Sequence, residues 1–235
     1  MGEVHPMKRI LKIIALGLCL GLGLVLIQQG LNIDEHTFLM WYWVLVPALL
    51  VVVVLINVLY NLFYLHKVKA LAAQLEEGNP QAFVAGLENL LHTAKGRRLR
   101  EILTLNLAAG YVETKQFDTA IPMLEAMAHQ RLRNTTLRVT HTINLCLSYF
   151  ETNQYEKALE LYQTQQPLLD TFRHDSTYGI HIAILDVVAA LAQGDYAQAE
   201  TLLHTAAQTK TTPRMQRALD ELSHTVETVK AQQGS

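Results

Sequence analysis

The chain has 235 residues, of which 50% are hydrophobic and 17% are charged, and its formal net charge is −2. Soluble domains usually carry about 25% charged residues, so part of this chain is unusually poor in charge. A net charge near zero argues against a dedicated nucleic-acid-binding protein, and two cysteines are too few for a disulfide framework. Only three basic and three acidic residues precede His66, so the charge deficit lies in the N-terminal part.

Residues 10–27 form the first apolar run, which Lys12 alone interrupts after the polar start at residues 1–9. A lysine near a helix end can place its ammonium group among lipid headgroups, so Lys12 is compatible with a membrane helix. A cleaved signal peptide is the alternative, but no small-residue cleavage site follows the run. We therefore expect residues 10–27 to be a first transmembrane helix.

Residues 38–65 form a second apolar run that contains no Asp, Glu, Lys, Arg or His. Because a helix rises about 1.5 Å per residue, about 20 apolar residues cross the hydrocarbon core. Trp41 and Trp43 lie near the start of this run and Tyr60 lies near its end, as the two membrane–water interfaces favour. The run predicts a second transmembrane helix, which Pro47 can bend without ending.

Basic residues flank the outer ends of this predicted hairpin, whereas the loop at residues 28–37 carries Asp34 and Glu35. The positive-inside rule then places both termini in the cytoplasm and the loop outside. We expect an integral protein of a bacterial plasma membrane. An extracytoplasmic C-terminal domain would require the reversed topology.

Gly17 and Gly21 form a small-x-x-x-small pattern inside the first apolar run. Small residues four apart let two helix backbones approach closely in a membrane. We expect this face to pack against the second helix of the same chain, and a homodimer through the hairpin is the alternative.

From residue 66 onward the apolar residues recur at helical spacing, and no alternating run indicates a strand. The sequence therefore predicts an all-α protein. Short polar breaks separate the helical stretches, at Glu77–Pro80, Lys95–Arg97, Thr114–Gln116, Thr152–Gln154, His174–Thr177, Gln193–Asp195 and Lys210–Pro213.

Three of these breaks share one pattern, in which an aromatic residue is followed three positions later by alanine. The segments are YVETKQFDTAIPML at 111–124, YFETNQYEKALELY at 149–162 and ALAQGDYAQAETLL at 190–203. Large–small pairs, Leu107–Ala108 and Leu145–Cys146, precede the first two. This pattern resembles the tetratricopeptide repeat, a helix–turn–helix unit that stacks into a solenoid.

The resemblance implies three to four helix pairs over residues 66–209, with close helix crossings at the small residues. A first, weaker unit has its turn at Gly78, and Phe83 stands there in place of the expected alanine. Aligned turns are about 37–41 residues apart, longer than the usual 34. Residues 210–235 are expected to be a capping helix and tail, because Pro213 suits a first helical position and an apolar face follows it.

The resemblance also implies a concave groove lined by the first helix of each pair. Its candidate partner-binding residues are Leu105, Asn106, Val112, Ile143, Asn144, Leu147, Phe150, His181, Ile184 and Val188. Repeats that clamp a peptide carboxylate need cations where His181 and Leu185 stand, so that mode is not expected. An apolar groove suits an amphipathic helix from a partner or from the chain's own C-terminus, and simple packing of the stack is the alternative.

A short basic segment contains Lys95, Arg97, Arg98 and Arg100. Near an anionic membrane surface each basic residue contributes about 1 kcal/mol of attraction. These residues are candidates for contact with lipid headgroups, and a solvated helix start is the alternative interpretation.

The sequence contains no pattern that points to catalysis, to a metal or to a cofactor. Its ten histidines show no metal-ligand spacing, and no phosphate-binding glycine loop occurs. We expect a membrane-anchored scaffold, not an enzyme, that presents its repeats to an unidentified protein partner in the cytoplasm. The alternative is an accessory subunit of a transport or secretion complex that uses the hairpin as its main contact.

Overall fold

The computed structural model describes residues 21–26, 28–30, 34–128, 132, 134–209 and 211–233, and these contain helices and no β-strand. The all-α prediction is therefore confirmed for the described part of the chain. The helices are α1 (Glu35–Glu76), α2 (Pro80–Thr93), α3 (Arg97–Glu113), α4 (Phe117–Ala128), α5 (Thr135–Glu151), α6 (Tyr155–Asp170), α7 (Gly179–Ala192), α8 (Tyr196–Ala207) and α9 (Pro213–Gln233). The chain divides into two compact units, Met1–Tyr60 and Asn61–Ser235.

The first unit contains most of the apolar length of α1. The Asp34 carboxylate caps this helix, because its Oδ2 accepts a hydrogen bond of 3.2 Å from the Thr37 backbone N–H. The helix then continues through Pro47. Most of its apolar side chains before Tyr60 are exposed, with Trp43 at 69%. Among the described residues, α1 is the one helix long and apolar enough to cross a membrane, which supports membrane association.

The predicted first membrane helix falls largely outside the described residues. Residues 21–26 and 28–30 are helical. The predicted hairpin of two membrane helices therefore stays a prediction, as does the packing of Gly17, which is not described.

The second unit is a stack of antiparallel helix neighbours. Each helix from α2 to α9 packs against the next one along the chain. In addition α3 packs against α5, α5 against α7, and α7 against α9, so alternate helices form one layer. The last turns of α1 join this unit, where the Tyr64 hydroxyl donates a 3.1 Å hydrogen bond to the Thr93 hydroxyl.

One turn geometry recurs at the ends of four helices in this unit. Gly78, Lys115, Asn153 and Gly194 adopt positive φ values of 80°, 57°, 58° and 76°. In each case the next backbone N–H donates to the carbonyl five residues earlier, at 2.8–3.0 Å. This arrangement satisfies carbonyls that a helix end leaves without intrahelical partners. These turns coincide with the aligned turns of the sequence pattern.

Small residues on both sides of these turns allow the helices to cross closely. The predicted contact residues Ala108, Ala120, Cys146, Ala158 and Ala199 are all 0% exposed. A smaller side chain at a crossing lets two helix surfaces interdigitate without a void.

Gly110 in α3 accommodates the phenylalanine that replaces alanine in the first pair. A Cβ built at Gly110 would lie 3.0 Å from Phe83 Cδ1 and 2.9 Å from Val84 Cγ2. Because Phe83 is only 2% exposed, its ring has little room to move. The departure from the repeat pattern in α2 is therefore matched by a missing side chain in α3.

The break between α4 and α5 was not predicted from the sequence. It contains no glycine or proline, whereas these residues mark four of the seven predicted breaks. Its best signal is Asn134, whose Oδ1 accepts a hydrogen bond from the Leu137 backbone N–H at 3.2 Å and caps α5.

Candidate interaction surfaces

The apolar residues predicted to line the groove lie inside the second unit in this conformation. Leu105, Ile143, Phe150 and Ile184 are between 1% and 8% exposed. Val112, Leu147 and Val188 are half-buried and pack against the core. Their contact with a partner stays a prediction.

The two asparagines of the predicted groove make the same local contact in successive pairs. Asn106 Nδ2 donates to the Ile102 carbonyl and Asn144 Nδ2 donates to the Thr140 carbonyl, both at 2.8 Å. Both amides therefore bond within their own helices, and this repeated contact follows the repeat in the sequence.

Helix α9 covers part of the α7 surface. Its apolar residues Met215, Leu219 and Val226 share one buried cluster with Ile184, against which Leu147 packs. The predicted apolar face of the C-terminal helix is thus occupied within the chain itself.

Arg214 connects the start of α9 to the first helices of the second unit. Its guanidinium forms ion pairs with Glu76, at 3.3 Å, and with Glu113. The charges of Arg214 and Glu76 also act on the pKa of His181. The pKa of the His181 imidazole is lowered to about 4, chiefly because burial disfavours its charged form, with Arg214 adding to the effect and Glu76 opposing it.

Two tyrosines form equivalent hydrogen bonds between neighbouring helix pairs. The Tyr111 hydroxyl donates to Glu88 at 2.6 Å, and the Tyr149 hydroxyl donates to Glu125 at 2.7 Å. The bond to Glu88 raises the pKa of Tyr111 to about 12, whereas burial is the main reason that the pKa of Tyr149 is raised.

A further polar cluster joins α6, α7 and the segment between them, beside a cavity of about 340 Å³. The buried Asp186 carboxylate accepts a 2.6 Å hydrogen bond from the Tyr162 hydroxyl and pairs with Arg173. Arg173 also pairs with Asp170 at 2.7 Å. Sequence reasoning missed this cluster, because the lone Asp186 lies in an otherwise apolar helix. Arg173 is paired with both carboxylates and Asp186 has two partners, so we interpret the cluster as a structural network.

The four residues predicted to touch lipid headgroups have different surroundings. Arg100 Nη1 donates to the Leu91 carbonyl at 2.8 Å and so caps the end of α2. Arg97 pairs with Glu101 at 2.7 Å, and all four residues are exposed. Contact of this segment with lipid stays a prediction.

Arg98 lines a groove of the second unit with a volume of about 1200 Å³. The groove lies where the first turns of α3 and α5 meet the end of α4 and the later turns of α6. Arg138 lines it from α5, at the position that Arg100 occupies in α3 once the two turns are aligned. Sequence reasoning missed Arg138, although aligning the repeats would have indicated it.

Among the described residues, no group of three His, Cys, Asp or Glu side chains could hold a metal ion. Cys146 is fully buried, and burial raises the pKa of its thiol to about 12, so it is protonated near neutral pH.

Gly21, which was predicted to pack against another membrane helix, is helical, and nothing lies within 4 Å of a Cβ built on it. Its proposed role in helix packing stays a prediction.

Comparisons of this chain with protein-family models, with curated proteins and with solved structures found no match.

Proposed function

We propose that this chain is a membrane-attached helical-repeat protein of the tetratricopeptide type, whose second unit binds a partner protein. The observation that carries the proposal is the helix-ending turn that recurs at Gly78, Lys115, Asn153 and Gly194. Stacked helix pairs of this kind build extended surfaces that suit protein recognition better than small-molecule chemistry. The exposed apolar length of α1 supports attachment to a membrane.

We further propose that the second unit lies in the cytoplasm of a bacterial cell. This placement rests on the basic residues that flank the two apolar runs. Protease added to intact spheroplasts should leave a C-terminal tag uncut and should remove it after lysis. Cleavage of the tag in intact spheroplasts would show the reversed topology.

The partner-binding proposal is tested by crosslinking the full chain in native membranes and purifying it through a tag. Capture of a specific protein, above the level seen with an unrelated membrane protein, is the expected result. A failure to capture any protein above that level would contradict the proposal.

The accessory-subunit function is a second candidate, because most apolar side chains of α1 before Asn61 are exposed and could contact another membrane protein. Replacing residues 1–60 by an unrelated membrane anchor separates the two candidates. A chain that binds through its second unit keeps the captured partner, whereas an accessory subunit that binds through its membrane helices loses it. The replaced chain must still appear in the membrane fraction.

A further inference from the structure

The groove between α3 and α5 contains two arginines that make no ion pair with any described residue. Arg98 and Arg138 are both exposed and both line the groove. The groove's acidic residue, Glu101, is already paired with Arg97 at 2.7 Å. The described charges of this groove therefore leave a positive excess that a ligand can neutralise.

The starts of two helices add to this positive potential. The first turns of α3 and α5 both line the groove, and a helix start carries a partial positive charge. The N-cap of α3 is Gly96, so no side chain accepts a hydrogen bond from its first backbone N–H groups. The local field thus favours negative groups along the groove.

Apolar side chains from three helices line the same groove. Ile102 of α3, Leu137 of α5 and Leu161 of α6 are half-buried, so each still presents apolar surface to water. The volume of about 1200 Å³ is larger than the ~300–1000 Å³ of a usual small-molecule pocket. Such a groove fits a chain segment that offers apolar and acidic side chains together.

We propose that this groove binds an acidic, amphipathic helical segment of the partner protein, with apolar residues on Ile102, Leu137 and Leu161 and carboxylates at Arg98 and Arg138. The proposal rests on the proposed function, since it names the chemistry of that partner. The site is defined without residues 129–131 and 133, which lie outside the described part of the chain.

Arginine suits this role, because its planar guanidinium forms paired hydrogen bonds with a carboxylate. A phospholipid headgroup offers the same charge but needs no helix-spaced apolar contacts, so the groove favours a protein segment. Lipid is therefore an outcome that the experiment must be able to detect.

The experiment places the photo-crosslinking residue p-benzoylphenylalanine at Gln165, which lines the groove, in the full chain in native membranes. A second chain carries it at the exposed Thr201 of α8 as a positional control. Crosslinked segments are mapped by mass spectrometry. We expect a segment with net negative charge and with apolar residues at i, i+3 and i+4 from position 165, and not from position 201.

Charge reversal then tests the two arginines. Arg98→Glu with Arg138→Glu should lower the crosslink yield at least about tenfold, because electrostatic complementarity becomes repulsion. Lys115→Glu with Lys157→Glu makes the same change in net charge on exposed side chains elsewhere and should stay within about twofold of the wild type. Arg98→Lys with Arg138→Lys should keep most of the yield. Equal thermal unfolding of the variants checks that they remain folded.

Four results obtained with a crosslink at position 165 would each overturn the groove assignment. They are a mapped segment that is neutral or basic, a crosslink to lipid, equal loss in both charge-reversed variants, and no loss in either. Capture of a protein from position 201 alone would be consistent with the proposed function and would contradict the assignment of the groove as its binding site. Absence of any crosslinked protein at both positions would count against both proposals.

Discussion

The environment of His181 makes folding depend on pH in a window that an ordinary histidine would not create. The pKa of the folded imidazole is lowered to about 4, whereas an unfolded histidine titrates near 6.5. Between these values the unfolded chain binds a proton that the folded chain does not bind. The free energy of unfolding therefore falls as the pH drops from about 6.5 towards 4, and this contribution is fully present above 6.5.

Replacing His181 by glutamine should flatten this dependence by at most about 1.4 kcal/mol per pH unit, which corresponds to one proton. The dependence should not vanish, because burial also lowers the pKa of His141. Denaturant unfolding of the full chain in detergent, followed by circular dichroism across pH 4–7, measures the slope. His224→Gln, at an exposed position of α9, is the matched control, and an equal slope change there would refute the assignment.

Gly110 shows that a single missing side chain can be a packing requirement. Gly110→Ala should lower the free energy of unfolding by about 1–3 kcal/mol, because the new methyl group meets the Phe83 ring and Val84 Cγ2. Helix propensity alone would favour alanine by about 1 kcal/mol. In a Phe83→Ala background, Gly110→Ala should lower the free energy of unfolding by less, since the phenylalanine ring is absent. An equal cost in both backgrounds would contradict this explanation.

Local patterns predict short-range features well and long-range polar contacts poorly. Most helix breaks, the small residues at helix crossings and the proline that begins α9 follow from spacing and side-chain size, so the sequence indicates them. The pairing of Arg214 with Glu113 joins residues 101 positions apart, and no local rule specifies it. Arg138 could have been found by aligning the repeats, but its position beside Arg98 in one groove depends on how two helix pairs pack.

Among the elements, the repeated turns differ in how well their residues suit a positive φ. Glycine adopts this conformation freely, whereas other residues lose roughly 1–2 kcal/mol there, and asparagine loses less than most. The sequence places glycine at Gly78 and Gly194 but lysine and asparagine at Lys115 and Asn153. Glycine at Lys115 or Asn153 should therefore stabilise the turn.

Lys115→Gly should raise the free energy of unfolding by up to about 1 kcal/mol, after the greater entropy of glycine in the unfolded chain is subtracted. Asn153→Gly should give a smaller gain. Gly194→Ala should lower the same quantity by about 1 kcal/mol, and Lys115→Ala should give no gain, which separates backbone strain from loss of charge. Thermal unfolding of the full chain measures all four, and destabilisation by Lys115→Gly would contradict the turn geometry.

At the scale of the whole second unit, most contacts link neighbouring helices, so stability in such a stack depends largely on adjacent pairs. Arg214 is an exception, because it joins α9 to the ends of α1 and α3. Its side chain is only 19% exposed, whereas Lys230 of the same helix and its partner Glu200 of α8 are both more than half exposed. Arg214 and Lys230 of the same helix thus differ in burial and in how far apart along the chain their partners lie.

Arg214→Gln should lower the free energy of unfolding by about 1–2 kcal/mol, since charged hydrogen bonds in partly buried places contribute more than exposed pairs. Amide hydrogen exchange should rise in the first turns of α9 and near Glu76, because the contact that links them is lost. Lys230→Gln should change stability by less than about 1 kcal/mol and leave exchange near Glu76 unchanged. A double-mutant cycle with Glu113→Gln should give a coupling energy above about 0.5 kcal/mol. Additive effects, or exchange that rises only within α9, would show that Arg214 does not tie the end of the stack to its beginning.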